Sequence, residues 1–246
     1  ALACEACHVP ALQMAAQQAI DASVEGREGQ PLVSYRGLDR GDPTNLSNAF
    51  VSGYSPLLQV GQNERGELQV RPSHLVARWY WADGPGPEAT PVSVALTRLA
   101  WRVAGGGDHA EILEAFDSDR DGRLGNAELR LDNYAKVVLI KERLRDLGVA
   151  NPTLRGELRA YHIHHNVRHG DQVNRECARC HPEGPQDLAA FELAPYVPGR
   201  VLPELVADPT SIRLDGELEI GTDGRLWLQP ARGPAAAYQA LRATGD

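Results

Sequence analysis

Cys4, Cys7 and His8 stand in the run Cys4-Glu5-Ala6-Cys7-His8, and Cys177, Cys180 and His181 in Cys177-Ala178-Arg179-Cys180-His181. The two C-x-x-C-H patterns use all four cysteines of the 246-residue chain. Two thiols three positions apart can form thioethers with the two vinyl groups of one porphyrin while the next imidazole meets its iron, the attachment chemistry of a c-type haem. On this composition a given cysteine opens such a pattern by chance about once in two thousand times. The alternatives are a pair of disulfides or a four-cysteine zinc site. Neither needs a histidine after each pair, and the zinc site would join C-x-x-C pairs separated by most of the chain. Two haem c are therefore expected, with His8 and His181 as the proximal iron ligands.

A second constellation runs from Asp117 to Glu128 and matches the twelve-residue EF-hand loop. Calcium takes six to eight oxygens: Asp117, Asp119 and Asp121 offer three, the Arg123 carbonyl one and Glu128 two. Gly125, at the ninth position, has no side-chain oxygen, so water completes the shell of one Ca2+. The pattern expects a helix over 109–116 entering the loop and another leaving it at Glu128. A lone loop of this kind suits a structural staple better than a switch.

Each iron has a sixth position to fill. Four histidines fall within nine residues, His162, His164, His165 and His169, and on a helix His162, His165 and His169 share one face while His164 points elsewhere. His165 and His169 lead the candidates, with His74 as an outside choice for the first haem. Met14 follows His8 too closely to reach the opposite face of the same ring, so His/His ligation and low potentials are expected.

Asn166-Val167-Arg168-His169-Gly170, followed closely by the second C-x-x-C-H and combined with the first motif and an embedded EF-hand loop, resembles bacterial multihaem c-type cytochromes of extracytoplasmic respiratory chains. The resemblance covers about a fifth of the chain through short motifs. It implies electron transfer through bis-histidine haems with His8 and His181 proximal. Two haems in 246 residues are sparse for that group, which suits polypeptide used for contacts with other subunits.

The elements that must position these residues read as mainly α with long loops and small β-hairpins (α+β), a c-type cytochrome fold organised around two covalently bound haems. Apolar spacing predicts helices over 10–22, 92–103, 126–147 and 153–169, and a short one over 234–242. Residues 25–55 read as loop, and hairpins join 57–60 to 67–70 and 212–220 to 226–228. Trp79, Tyr80 and Trp81 are expected to be ordinary packing residues. Three regions follow: 1–91, haem-binding and loop-rich with a hairpin; 92–150, the EF-hand region; and 151–246, the second haem region with a C-terminal hairpin, all forming one compact unit.

Net charge is −8, which excludes nucleic acid as an expected partner, and no apolar run is long enough for a transmembrane segment. Covalent haem attachment occurs outside the bacterial cytoplasmic membrane, so signal-peptide removal and a periplasmic or extracellular location are expected. The expected activity is electron transfer rather than catalysis, with other redox proteins or copies of the same chain as partners, the latter as a filamentous haem chain. The competing expectation is a dihaem peroxidase or sulfur-compound oxidoreductase with one open haem site.

Overall fold

Two alternating runs build the centre of the molecule. Ser73, Leu75, Ala77, Trp79 and Trp81 are buried at every second position, and so are Pro152, Leu154, Gly156 and Leu158, while the residues between them are more exposed. That is the period of strands with one face on a core and the other toward water. In the computed structural model, which describes residues 3–26, 28–39, 49–62, 65–173, 175, 190–206 and 216–230, these runs pair antiparallel from Ser73↔His162 to Asp83↔Pro152.

In chain order the strands are β1 (Ala16–Asp21), β2 (Leu32–Arg36), β3 (Leu38–Asp39), β4 (Phe50–Val51), β5 (Leu57–Gln62), β6 (Leu68–Asp83), β7 (Thr90–Pro91), β8 (Pro152–His162), β9 (Phe191–Ala194), β10 (Glu204–Leu205), β11 (Gly216–Ile220) and β12 (Leu226–Pro230). The helices are α1 (Cys4–His8), α2 (Val94–Trp101), α3 (Ala110–Phe116) and α4 (Tyr134–Asp146). A mixed seven-stranded sheet runs β10-β8-β6-β1-β2, with β5 and β7 also paired to β6; β11-β12-β9 form a smaller sheet and β3-β4 a short pair.

The inner face of the large sheet carries two apolar clusters. Toward Trp81 and Leu154, α2, α3 and α4 cover it with Trp101, Ile112, Phe116, Ile140 and Leu144. Toward Leu75, Ala77 and Leu158, the small sheet covers it with Leu193, Ala194, Leu226 and Leu228. The indole N–H groups of Trp81 and Trp101 both donate to the Ser23 carbonyl, at 3.0 and 3.1 Å, which satisfies two buried donors with one acceptor.

This architecture overturns the expectation of a mainly α, cytochrome-like fold. Of the described residues 35 % are in strands and 21 % in helices, and they do not form a helical c-type cytochrome fold. Two predicted helices are strands. Residues 10–22 contain β1, which pairs parallel with β6 through Ala19↔Ala77 and antiparallel with β2. Residues 153–169 contain β8 followed by extended chain. In both, sheet partners available only in the tertiary structure outweigh helix propensities of a few tenths of a kcal/mol per residue. Helices do form at α2, α3 and α4, and hairpins at β5–β6 and β11–β12. Residues 25–55 include β2, β3 and β4. The segment 234–242 lies outside the described residues.

Candidate haem and cation sites

Three positions along a helix carry a side chain to nearly the same face. α1 is five residues long and so presents Cys4 and Cys7 together, with His8 next to Cys7. Its start is tied to the large sheet by Ala3 N–H donating to the Val70 carbonyl at 3.0 Å, and its end closes through Val9 N–H to Glu5 O at 2.8 Å. Ala6 is buried beneath it, and Val9, Leu12 and Ile163 form an apolar patch with Tyr54 alongside. Both cysteines are free thiols, Cys4 exposed and Cys7 half-buried.

His8 is the fixed member of this group. Its Nδ1 lies 2.8 Å from the Arg168 carbonyl, an atom that only accepts, so Nδ1 carries the proton and the lone pair resides on Nε2. A histidine bonded this way is oriented for metal ligation through Nε2, since the backbone partner sets the tautomer and holds the ring. The Arg168 N–H returns a bond to the His8 carbonyl at 2.7 Å. Two free thiols on one turn and an imidazole with its Nε2 unprotonated fit the needs of a haem c.

The histidine-rich segment is extended, so His162, His165 and His169 do not share a helical face. His162 ends β8 opposite Ser73 and lies 3.2 Å from its hydroxyl. His164 is 3.8 Å from the Glu5 carboxylate, and its ring is 6.2 Å from that of His162. Asn166 turns the chain at φ 61°. His169 then stands with its ring 6.2 Å from that of His8, while His165 is exposed. Three of the four candidates therefore gather around α1 by a route other than the predicted helix. His74 is held elsewhere: its Nε2 donates to the Gln17 carbonyl at 2.6 Å, its ring packs on Tyr54, and burial lowers its pKa. Only its Nδ1 remains to bind a metal. Cys177, Cys180 and His181 lie outside the described residues.

The acidic loop is preorganised by its own backbone. Asp117 accepts from the Asp121 and Gly122 N–H groups at 3.2 and 2.9 Å, and Asp121 accepts from Arg123 N–H at 2.8 Å. Glu128 reaches back to accept from Ser118 N–H and hydroxyl at 2.7 and 2.8 Å and from Gly125 N–H at 2.9 Å. Those bonds, led by Gly125, lower the Glu128 pKa to about 2. Ligand oxygens of Asp117, Asp119 and Glu128 all lie within 4.8 Å of one another, so three of the expected calcium ligands converge. Leu124 anchors the loop in the core at 3 % exposure. The exit helix expected at Glu128 is absent. Leu129 and Leu131 run into the core instead, and α4 begins at Tyr134, capped by Asn133.

Beside this loop lies a polar pocket without a counterpart in the sequence reading. Asp21 is buried and accepts from Ser23 N–H and hydroxyl and from the Tyr196 hydroxyl. Burial raises its pKa despite those three donors. The pair borders a cavity of about 60 Å³ that Asn126 and Arg130 also line. Asp21 in an Ala-Gln-Gln-Ala-Ile-Asp run gives no local signal of burial, because its partner Tyr196 is 175 residues away. The Arg168 carbonyl is equally invisible beforehand, since every residue has one.

Comparison with models of known families, with curated proteins and with solved structures finds no match to this chain.

Proposed function

We propose that this chain is a dihaem c-type electron carrier working outside the cytoplasmic membrane, on a β-rich scaffold, with one structural Ca2+. The observation that carries the reading is the bond between His8 Nδ1 and the Arg168 carbonyl, adjoining two free thiols on the same helical turn. When bound, the haem supplies a one-electron iron couple. Cys4 and Cys7 would hold it covalently, His8 would ligate its iron through Nε2, and Arg168 would keep that imidazole in its tautomer and orientation. His162, His164 and His169 supply further imidazoles around α1, and with the exposed His165 of the same segment they are enough to close both irons with His181 as the second proximal ligand. Asp117, Asp119, Asp121, Arg123 and Glu128 would bind calcium and fix the chain between α3 and the buried Leu129. Other redox proteins or further copies of this chain are the expected partners. No helix among the described residues is long and apolar enough to cross a membrane.

The pyridine haemochrome assay on protein secreted with its maturation machinery tests the reading, with mass spectrometry alongside. Two covalent haems per chain are expected, falling to one in Cys4→Ala/Cys7→Ala; a chain without covalent haem overturns it. Adding carbon monoxide to the reduced protein separates carrier from enzyme, since two closed irons leave the spectrum unchanged and an open site shifts it. For the filament, a strictly monomeric protein at high concentration in calcium is the decisive negative.

A further inference from the structure

The cavity beside the acidic loop belongs to neither the haem reading nor the calcium reading. Its floor is a face of the large sheet where β2, β1 and β6 lie side by side. Ala19 pairs with Ser34 across the β1–β2 ladder and Asp21 with Trp79 across the β1–β6 ladder, and all four line the cavity and are buried. Asn126, exposed, and Arg130, half-buried, stand nearer the solvent.

The polar groups here are unevenly satisfied. Asp21 is engaged on both carboxylate oxygens, Oδ1 accepting from the Ser23 N–H and hydroxyl and Oδ2 from the Tyr196 hydroxyl. Ser34 is not engaged: the residue is 4 % exposed, and its hydroxyl has no hydrogen-bond partner in the protein. A buried hydroxyl left unpaired is costly, so it marks a place where something else supplies the partner. The Arg130 guanidinium lies over the Tyr196 ring at 5.1 Å, and among the described residues no carboxylate stands within ion-pair distance of it. Both unmatched groups can donate, and one is a cation whose planar fork suits a carboxylate. A volume of about 60 Å³ admits several waters or a molecule of about three to five non-hydrogen atoms.

We propose that this cavity binds a small carboxylate anion, of the size of formate or acetate, through the Arg130 guanidinium and the Ser34 hydroxyl. Such a ligand brings negative charge toward Asp21, whose burial already favours its neutral acid. An anion beside it favours that form further, so binding draws a proton onto Asp21 and the two carboxyl groups do not oppose each other as charges. Among the described residues, the ionisable groups acting on the Asp21–Tyr196 pair from elsewhere are Arg130 and Asp132, and Asp132 is itself paired with Lys136 at 3.1 Å. β2 and β6 present uncharged Leu32, Ser34 and Trp79 to the cavity.

Calorimetric titration and thermal unfolding of the full chain with sodium acetate and sodium formate, against sodium chloride at equal ionic strength, test this. Either carboxylate should bind saturably at one site per chain and raise the Tm, whereas benzoate, too large for the cavity, should do neither. Arg130→Gln should weaken binding by at least about tenfold, with Arg130→Lys, which keeps the charge but not the fork, between it and the wild type. Ser34→Ala should weaken binding by about tenfold and leave the Tm without ligand unchanged or higher, because it removes a hydroxyl that has no partner. Asp21→Asn should bind acetate at least as tightly as the wild type at neutral pH; weaker binding there would mean that the cavity takes a cation, and overturns the proposal. So does a wild type that responds to acetate no more than to chloride, or one that Arg130→Gln and Arg130→Lys match in affinity. None of these readouts depends on covalent haem, so their failure leaves the haem reading standing.

Discussion

Asp21 shows how a buried group records a contest between forces. Three donors favour its carboxylate, yet desolvation outweighs them and the pKa rises above 3.8; Tyr196, buried against it, is raised well above 10.0. An acid whose folded pKa is raised contributes stability that is fully present below its unfolded pKa and is lost as pH rises through the folded one. Urea midpoints of the wild type should therefore fall as pH climbs from the ordinary Asp range through the raised value, with a further fall above about 10 from Tyr196. Asp21→Asn, which keeps an acceptor for Ser23 and Tyr196, should flatten the first of these slopes. An unchanged slope in that variant would assign it to other groups. At Glu128, hydrogen bonds act in the opposite direction and leave a carboxylate ready for a cation at any ordinary pH.

Strands carry the largest departure from the sequence reading, and β8 shows why. Leu154, Gly156 and Leu158 alternate with Arg155, Glu157 and Arg159, a period of two that was present in the sequence but interrupted by a glycine, a poor strand former. The glycine has a tertiary reason: a Cβ there would come 2.8 Å from Trp79 Nε1 and 2.9 Å from Pro203 Cα. Gly156→Ala should cost about 1–3 kcal/mol, as overpacking does, measured by denaturant unfolding; a cost under about 0.5 kcal/mol would mean the sheet relaxes there. Hairpins were legible because turn chemistry is local, and the helix entering the acidic loop because the twelve-residue pattern implies it. The apolar spacing puts the start of α4 eight residues too early, at 126, whereas Asn133 caps it by accepting from Lys136 N–H at 3.0 Å. The exit helix after Glu128 was not legible, because burial of Leu129 and Leu131 against distant elements decides it. For the loop itself, calcium at a hundred times its dissociation constant should add about 2.7 kcal/mol of stability. A chelator should lower the Tm of the wild type and leave Glu128→Gln nearly unmoved; equal Tm values with and without calcium in the wild type would remove the proposed site.

At the scale of the whole molecule, regions far apart in sequence share one core, with Trp81, Trp101, Ile140 and Leu154 in a single cluster. Arg143 links the helical layer by donating to the Ala100 carbonyl at 2.6 Å while pairing with Glu111 at 3.5 Å. What the sequence could convey at this scale was chemistry rather than shape: the motifs carry the proposal of a haem and a cation, but the same motifs can sit on unrelated scaffolds. The tie between His8 and Arg168 spans 160 positions, and it bears on time as well as geometry. Contacts so far apart form slowly, because the loop-closure entropy must be met before they contribute. During synthesis the first C-x-x-C-H emerges long before Arg168, so its thiols can be modified while the imidazole still rotates freely. On the proposed c-type reading, a chain released from attachment machinery before β8 pairs with β6 would carry its haem on an unset ligand. Maturation would thus end with a folding event, which stopped-flow refolding of the haem-loaded chain would register as a slow final change in axial coordination.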